Sequence, residues 1–96
     1  MIGVFVTFHY GDGVDTDAVT RIAEAAGEQF RGMPGLRSKA FTVDAEHGEA
    51  TNFYVWESEE AARAFFTPAL RERVTGLYGV APEIRYVQIA ELVENA

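Results

Sequence analysis

EATNFYVWESEEAARAFF, residues Glu49–Phe66, is the stretch from which the fold can be read. Its first half is rich in β-branched and aromatic residues and reads as a strand, so a period of two sets Asn52, Tyr54 and Trp56 on one face. Its second half is helical. Ser58 is suited to be the N-cap, its hydroxyl accepting from the first free backbone N–H groups, and Glu59 and Glu60 sit favourably at the positive end of the helix dipole. An amide beside an indole on a face expected to be buried is unusual, and it makes Asn52 and Trp56 the candidate functional pair.

Toward the N-terminus, Met1–Tyr10 (MIGVFVTFHY) reads as strand 1. Ile2, Val4, Val6, Phe8 and Tyr10 take one face and Gly3, Phe5, Thr7 and His9 the other, both largely apolar. After the Gly11-Asp12-Gly13 turn, the caps Asp15, Thr16 and Asp17 open a helix to about Arg31, with the stripe Val19, Ile22, Ala23, Ala26 and Phe30. Gly27 interrupts this helix at a cost of about 1 kcal/mol and is expected to mark close approach to the sheet. Gly32-Met33-Pro34-Gly35 breaks the chain before strand 2, Leu36–Val43. Parity places Leu36, Ser38, Ala40 and Thr42 on one face of it and Arg37, Lys39, Phe41 and Val43 on the other. Arg37 and Lys39 are expected at a rim, in surface ion pairs. The loop Asp44–Gly48, of hairpin length, makes strands 2 and 3 antiparallel neighbours.

Toward the C-terminus, the second helix runs from Glu59 to about Leu77, with Ala62, Phe65, Phe66, Leu70 and Val74 inward and Tyr78 closing its end. Pro68 should kink or split it after Phe66. Strand 4 is expected over Glu83–Leu92 and a frayed tail over Val93–Ala96. The order β-α-β-β-α-β defines an α+β, ferredoxin-like fold with a four-stranded antiparallel sheet, expected to be a single domain over residues 1–96. Its helices can cover only one face of the sheet. Because the strands are apolar on both faces, a homodimer with the two sheets face to face is expected.

Composition narrows the chemistry. Apolar residues make up 48% and charged residues 24%, with no run near the roughly 18 apolar residues of a membrane span. No signal-peptide pattern opens the chain, so a cytoplasmic location is expected. There is no cysteine, hence no thiolate nucleophile or cysteine-held metal, and the only imidazoles, His9 and His47, are far apart in sequence. No metal is therefore expected, and with no cofactor motif in the chain no other cofactor is expected either. A net charge of −7 opposes binding to nucleic acid phosphates.

The Met33-Pro34-Gly35-Leu36 entry to strand 2, the Thr42–Gly48 hairpin, the aromatic strand ending at Trp56-Glu57-Ser58, the helix with Ala61–Phe66 and the last strand after Gly79-Val80 together resemble the dimeric α+β barrel superfamily. Within it the chain resembles the small YdhR-type monooxygenases, which are related to the antibiotic-biosynthesis monooxygenases. The resemblance implies a cofactor-independent monooxygenase that oxidises a small aromatic, phenol-like or polyketide-type substrate with molecular oxygen. It also implies that Asn52 and Trp56 match an asparagine–tryptophan pair of that branch and are the catalytic residues. Tyr54, His9, Tyr10, Phe65 and Tyr86 are the candidate substrate-binding residues, and the general base is one of Tyr54, Tyr10, Tyr86 and His9. A tyrosine that the branch places early in the next helix is replaced here by Ala62, which supports the alternative of a non-catalytic dimeric module binding a hydrophobic aromatic molecule. Haem degradation, known in the superfamily with a histidine on that helix, ranks last, because the helix here has none.

Overall fold

The structure, a computed structural model, describes residues 1–95. The elements run β1 (Ile2–His9), α1 (Thr16–Phe30), β2 (Leu36–Asp44), β3 (Glu49–Trp56), α2 (Glu59–Phe65), α3 (Pro68–Tyr78) and β4 (Glu83–Gln88). The strands form a four-stranded sheet in the order β2-β3-β1-β4, with every neighbouring pair antiparallel. This is the ferredoxin-like arrangement expected from the element order. Among the described residues no helix is long and apolar enough to cross a membrane.

Local chemistry sets the helix starts. Asp15 accepts from Ala18 N at 3.0 Å, Ser58 from Ala61 N at 3.1 Å and Thr67 from Leu70 N at 3.2 Å, so each helix has an orphan donor met by a side-chain oxygen. Pro68 divides the second helical segment as expected: α2 ends at Phe65, and the proline takes the first turn of α3, where its missing N–H costs nothing. Gly48 has φ +63°, and a Cβ there would meet the Gly11 carbonyl oxygen, so only glycine lets the hairpin dock beside the β1 turn. Gly27, by contrast, has nothing within 4 Å of where a Cβ would stand. The close approach expected there is absent, because Gly27 faces an open groove between α1 and β2.

Three sequence expectations are corrected. In β2 the register slips between Leu36 and Ser38, a bulge at Arg37. One extra residue reverses parity upstream of it, so Leu36 pairs with Trp56 and joins the face of Lys39, Phe41 and Val43 rather than that of Ser38 and Ala40. Strand 4 stops at Gln88 rather than Leu92, because its partner β1 begins at Ile2, opposite Gln88; one further bond, Ile89 N to Met1 O at 3.2 Å, closes the ladder. The chain then continues to Asn95 without regular secondary structure, and Ala96, the last residue of the expected tail, lies outside the described residues. Lys39 forms no rim ion pair among the described residues and instead faces the cavity, whereas Arg37, displaced by the bulge, reaches Glu94 at 3.2 Å.

The core lies between the sheet and the helices. Ile2, Val4, Val6 and Phe8 of β1 meet Ala50, Tyr54 and Trp56 of β3, with Val19, Ala62 and Tyr78 above them. Val4 and Phe8 are fully buried, and Trp56 is 1% exposed. The second face of the sheet carries Gly3, Phe5, Thr7, Phe53, Val55, Arg85 and Val87 and has no helix over it.

Candidate functional site

β3 brings the site residues to the helix-covered face by its period of two. Asn52 pairs in register with Val6 on one side and Phe41 on the other, and Tyr54 with Val4 and Lys39. Among the described residues Asn52 is the single polar side chain of the buried core, 4% exposed. An amide on such a surface must be satisfied. Its Nδ2 donates to the Tyr78 hydroxyl at 3.1 Å. Tyr78 comes from the end of α3, and its ring lies flat on Phe8 with centroids 3.8 Å apart and planes at 6°, which fixes the hydroxyl over Asn52. An amide nitrogen has a second N–H to offer.

Above this pair lies a cavity of about 470 Å³, a volume suited to a small organic ligand. The sheet supplies Lys39, Phe41, Asn52 and Tyr54 as its floor; Ile22, Ala26 and Phe30 of α1 and Leu70, Arg73, Val74 and Tyr78 of α3 form opposing walls, and Phe65 of α2 closes one end. Lys39 Nζ donates to the Tyr54 hydroxyl at 2.8 Å and stands 3.5 Å from the Phe30 ring centroid, 4.0 Å from that of Phe41 and 4.3 Å from that of Tyr54. Burial lowers the Lys39 ammonium to about 7. The three ring faces act in the opposite sense, since they attract the charged form.

The tyrosines are pushed the other way. Burial above all, with the neighbouring Tyr78 adding to it, holds the Tyr54 hydroxyl well above the ordinary tyrosine range. Burial also raises Tyr78, against the hydrogen bond with Asn52, and raises Tyr10. Near neutral pH these three are hydrogen-bond donors, not bases.

The sequence-derived candidates thus divide. Asn52, Tyr54 and Phe65 line the cavity. Trp56 shares the face of Asn52 but not the cavity: Tyr54 stacks on it at 6.1 Å and Phe65 packs at 5.2 Å, and its indole N–H finds no acceptor among the described residues. Tyr10 donates to the Tyr78 carbonyl at 2.9 Å and so braces the α3 end. Tyr86 lies on the helix side of β4, against Phe66 and under the Arg63 guanidinium at 4.2 Å. His9 is on the opposite face, exposed, 3.6 Å from Glu49, and His47 lies in the exposed hairpin against Asp44 at 2.7 Å. Two residues of the cavity have other roles in the sequence reading, Lys39 at a rim and Tyr78 at a helix end. A lysine alternating with aromatic strand residues is the one signal that points to the first. Ala62 is wholly buried and brings no polar group to the site, and the hydroxyl that meets Asn52 comes from Tyr78 at the end of α3.

Among the described residues no three His, Cys, Asp or Glu side chains are grouped to hold a metal ion. What the arrangement offers is a largely aromatic and aliphatic chamber with the Asn52 and Gln29 amides, tyrosine hydroxyls, the Lys39 amine and the Arg73 guanidinium on its inner surface, which is an inventory for orienting a flat, oxygen-bearing ring.

A ferredoxin-like sheet with a ligand-sized chamber under its helices defines the class of this protein. The family described as "Putative mono-oxygenase ydhR" matches residues 4–89, and the chain belongs to it. No curated protein matches the chain in sequence. Among solved structures, it is similar to a monooxygenase from the ActVA-Orf6 gene of Streptomyces coelicolor in complex with the ligand Nanaomycin D, at 22% identity over 99% of this chain and 92% of that one, TM-score 0.69. It is also similar to SnoaB, a cofactor-independent oxygenase from Streptomyces nogalater, at 15% identity over 98% of this chain and 96% of that one, TM-score 0.63. A third is a dimeric ferredoxin-like protein of unknown function from Thermobifida fusca, at 20% identity over 94% of this chain and 90% of that one, TM-score 0.63. At these identities the likeness is one of fold.

Proposed function

We propose that this chain is a cofactor-independent monooxygenase that oxidises a small aromatic, phenol-like substrate in the chamber between the sheet and α1 and α3. The observation that carries the reading is Asn52: the one buried amide of the core among the described residues, lining the cavity and held by Tyr78 at 3.1 Å. Membership of a monooxygenase family supports it. The substrate, as its phenolate, is electron-rich enough to reduce oxygen directly. For an anthrone-like compound the ring carbon bearing two hydrogens becomes a carbonyl; one oxygen atom enters there and the other leaves as water with those two hydrogens. The substrate supplies all four electrons, so the reaction balances without another reductant. Asn52 donates its remaining N–H to the oxyanion that develops, Tyr54 and Tyr78 donate beside it, and Phe30, Phe41 and Phe65 exclude water.

The active form is a homodimer joined through the face of the sheet that has no helices. Phe5, Phe53 and Val87, half-buried in the single chain, form an apolar patch there around the buried Val55, and the Phe5 and Phe53 rings are already in contact at 4.7 Å.

Oxygen uptake with anthrone-like phenols tests the activity. Wild-type protein consumes oxygen with one of them, and Asn52→Ala slows turnover by about 10²–10³, the usual cost of losing one oxyanion donor. Uptake that survives Asn52→Ala unchanged removes the assigned site. The position of Trp56 behind Tyr54 and Phe65 favours the second reading, a binding module without turnover. In that case aromatic ligands raise the melting temperature and no oxygen is consumed.

A further inference from the structure

The cavity holds one ionisable amine whose charge nothing else uses. We propose that Lys39 is its proton acceptor and counter-ion, taking the proton from the acidic hydroxyl of an aromatic ligand and holding the resulting oxyanion. This rests on the reading of the chamber as a site for phenol-like ligands. It also assigns the base to a residue outside the four sequence-derived candidates, Tyr54, Tyr10, Tyr86 and His9.

Geometry is the first support. β2 pairs Lys39 with Tyr54 across the ladder, and the bulge at Arg37 separates it from the rim, so its Nζ points over the floor of the chamber. Phe30, Phe41 and Tyr54 surround it at 3.5–4.3 Å. No described carboxylate is ion-paired with it. A lysine beside a carboxylate would be a fixed ammonium. Among the described residues this one has a single polar partner, a neutral hydroxyl at 2.8 Å.

The charged and titratable groups around it leave it that role. Tyr54 of β3 and Tyr78 of α3 have their ionisation pushed up by burial and remain donors. Arg73 of α3 lines the same cavity and is a cation that cannot accept a proton. On the outer side of Lys39, α1 presents Glu24, Glu28 and Arg31 and β2 presents Arg37 around a separate groove. Glu28 is engaged with Arg31 at 2.9 Å and Arg37 with Glu94 at 3.2 Å. Burial has already brought the Lys39 ammonium down to about 7, so a large share of the amine is free near neutrality.

The step is a simple proton transfer. The Lys39 lone pair takes the hydroxyl proton, the O–H bond breaks with its electron pair left on oxygen, and the new ammonium faces the new oxyanion. Tyr54, bonded to Nζ, can donate to the same oxygen. Ligands with a phenol or enol hydroxyl flush with a flat ring system are therefore selected over neutral hydrocarbons of equal size.

The test uses 7-hydroxycoumarin, whose neutral and ionised forms absorb at different wavelengths, titrated into the intact protein across pH. In wild type the ionisation midpoint of the bound dye falls by about 1 unit or more below that of the free dye, since one unit corresponds to about 1.36 kcal/mol of preference for the anion. In Lys39→Met that drop is lost and the midpoint returns at least to the free value, because burial favours the neutral phenol and the cation left, Arg73, stands on the α3 wall and not beside Tyr54. Lys39→Arg keeps the low midpoint, because its charge still holds the anion. It cannot accept a proton, so oxygen uptake with an anthrone-like phenol drops by about 10²-fold or more. Equal midpoints in wild type and Lys39→Met overturn the proposal, as does absence of dye binding to wild type up to the dye's solubility. If the midpoints behave as stated and wild type consumes no oxygen, the oxygenase reading fails alone and the anion site stands.

Discussion

The two faces of one sheet, four strands seen from either side, carry similar residues under opposite conditions. β3 supplies both: Asn52, Tyr54 and Trp56 toward the helices, Thr51, Phe53 and Val55 away from them. On the covered face polar groups are answered or aimed at the cavity, as Asn52 is by Tyr78 and Lys39 by Tyr54. On the open face polarity is cheap, and Thr7 meets Thr51 at 3.2 Å while the Arg85 guanidinium lies 4.8 Å over Phe5. A polar side chain under the helices has to be paired because water reaches it little, as at Lys39, or hardly at all, as at Asn52, and that is what gives the two residues their meaning. The apolar residues reverse the contrast. They are ordinary under the helices and demand explanation on the open side.

The largest expected effect lies on the covered face. Trp56→Ala removes a side chain that is 1% exposed and leaves a void among Tyr54, Phe65 and Phe66. It should cost about 3–5 kcal/mol in denaturant unfolding. The indole N–H has no acceptor among the described residues, so the loss is one of packing and not of a hydrogen bond. Phe53→Ala, on the open side, should cost on the order of 1 kcal/mol when measured on the monomer. Equal losses would mean that the two faces are equally packed within one chain, and the contrast would collapse.

Much of this is legible in the sequence. Parity gives the faces of β1 and β3, and capping chemistry at Asp15 and Ser58 gives the starts of α1 and α2. What parity cannot give is distance and register. Asn52 and Trp56 share a face, yet four residues of strand separate them by about 13 Å, which is why one lines the cavity and the other lies behind Tyr54. The bulge at Arg37 is a single inserted residue with no glycine to announce it, and it decides that Lys39 turns inward without Arg37. Tyr78 meets Asn52 across 26 positions, a contact no local pattern encodes. The side of the sheet taken by His9 follows only from the pairing of β1 with β3 through Val6 and Asn52.

A second break in the comparison targets the open face. Phe53→Glu puts a carboxylate where the proposed dimer would bury it against an apolar surface, and its desolvation should raise the dimer dissociation constant at least about 100-fold, or roughly 3 kcal/mol. Sedimentation equilibrium reads this directly. The chain itself should fold as before, because in the monomer the new carboxylate stays in water. A wild-type chain that sediments as a monomer at millimolar concentration, or a variant that associates equally well, leaves the apolar patch without its proposed occupant.

A modest effect is the most diagnostic of the covered face, because it changes sign relative to ordinary truncations. Lys39 has its folded-state value lowered to about 7 from 10.5 by burial. Below about pH 7 both folded and unfolded chains hold the proton, and the cost of burying the ammonium is present in full. Between about 7 and 10.5 the unfolded chain still binds a proton that the folded chain has released, so stability contributed at this site rises with pH. Lys39→Met should therefore stabilise the protein at about pH 6.5 by about 1–2 kcal/mol, a figure discounted for the solvent that still reaches the amine and for the ring faces that favour its charge. The gain should shrink as the pH is raised toward the ordinary lysine value. Urea midpoints of the two proteins at several pH values give the difference, in which the titration of all other groups cancels. A gap that stays constant with pH would place the ammonium in water, and Lys39 would then belong with Arg85 and the other inexpensive charges of the open face.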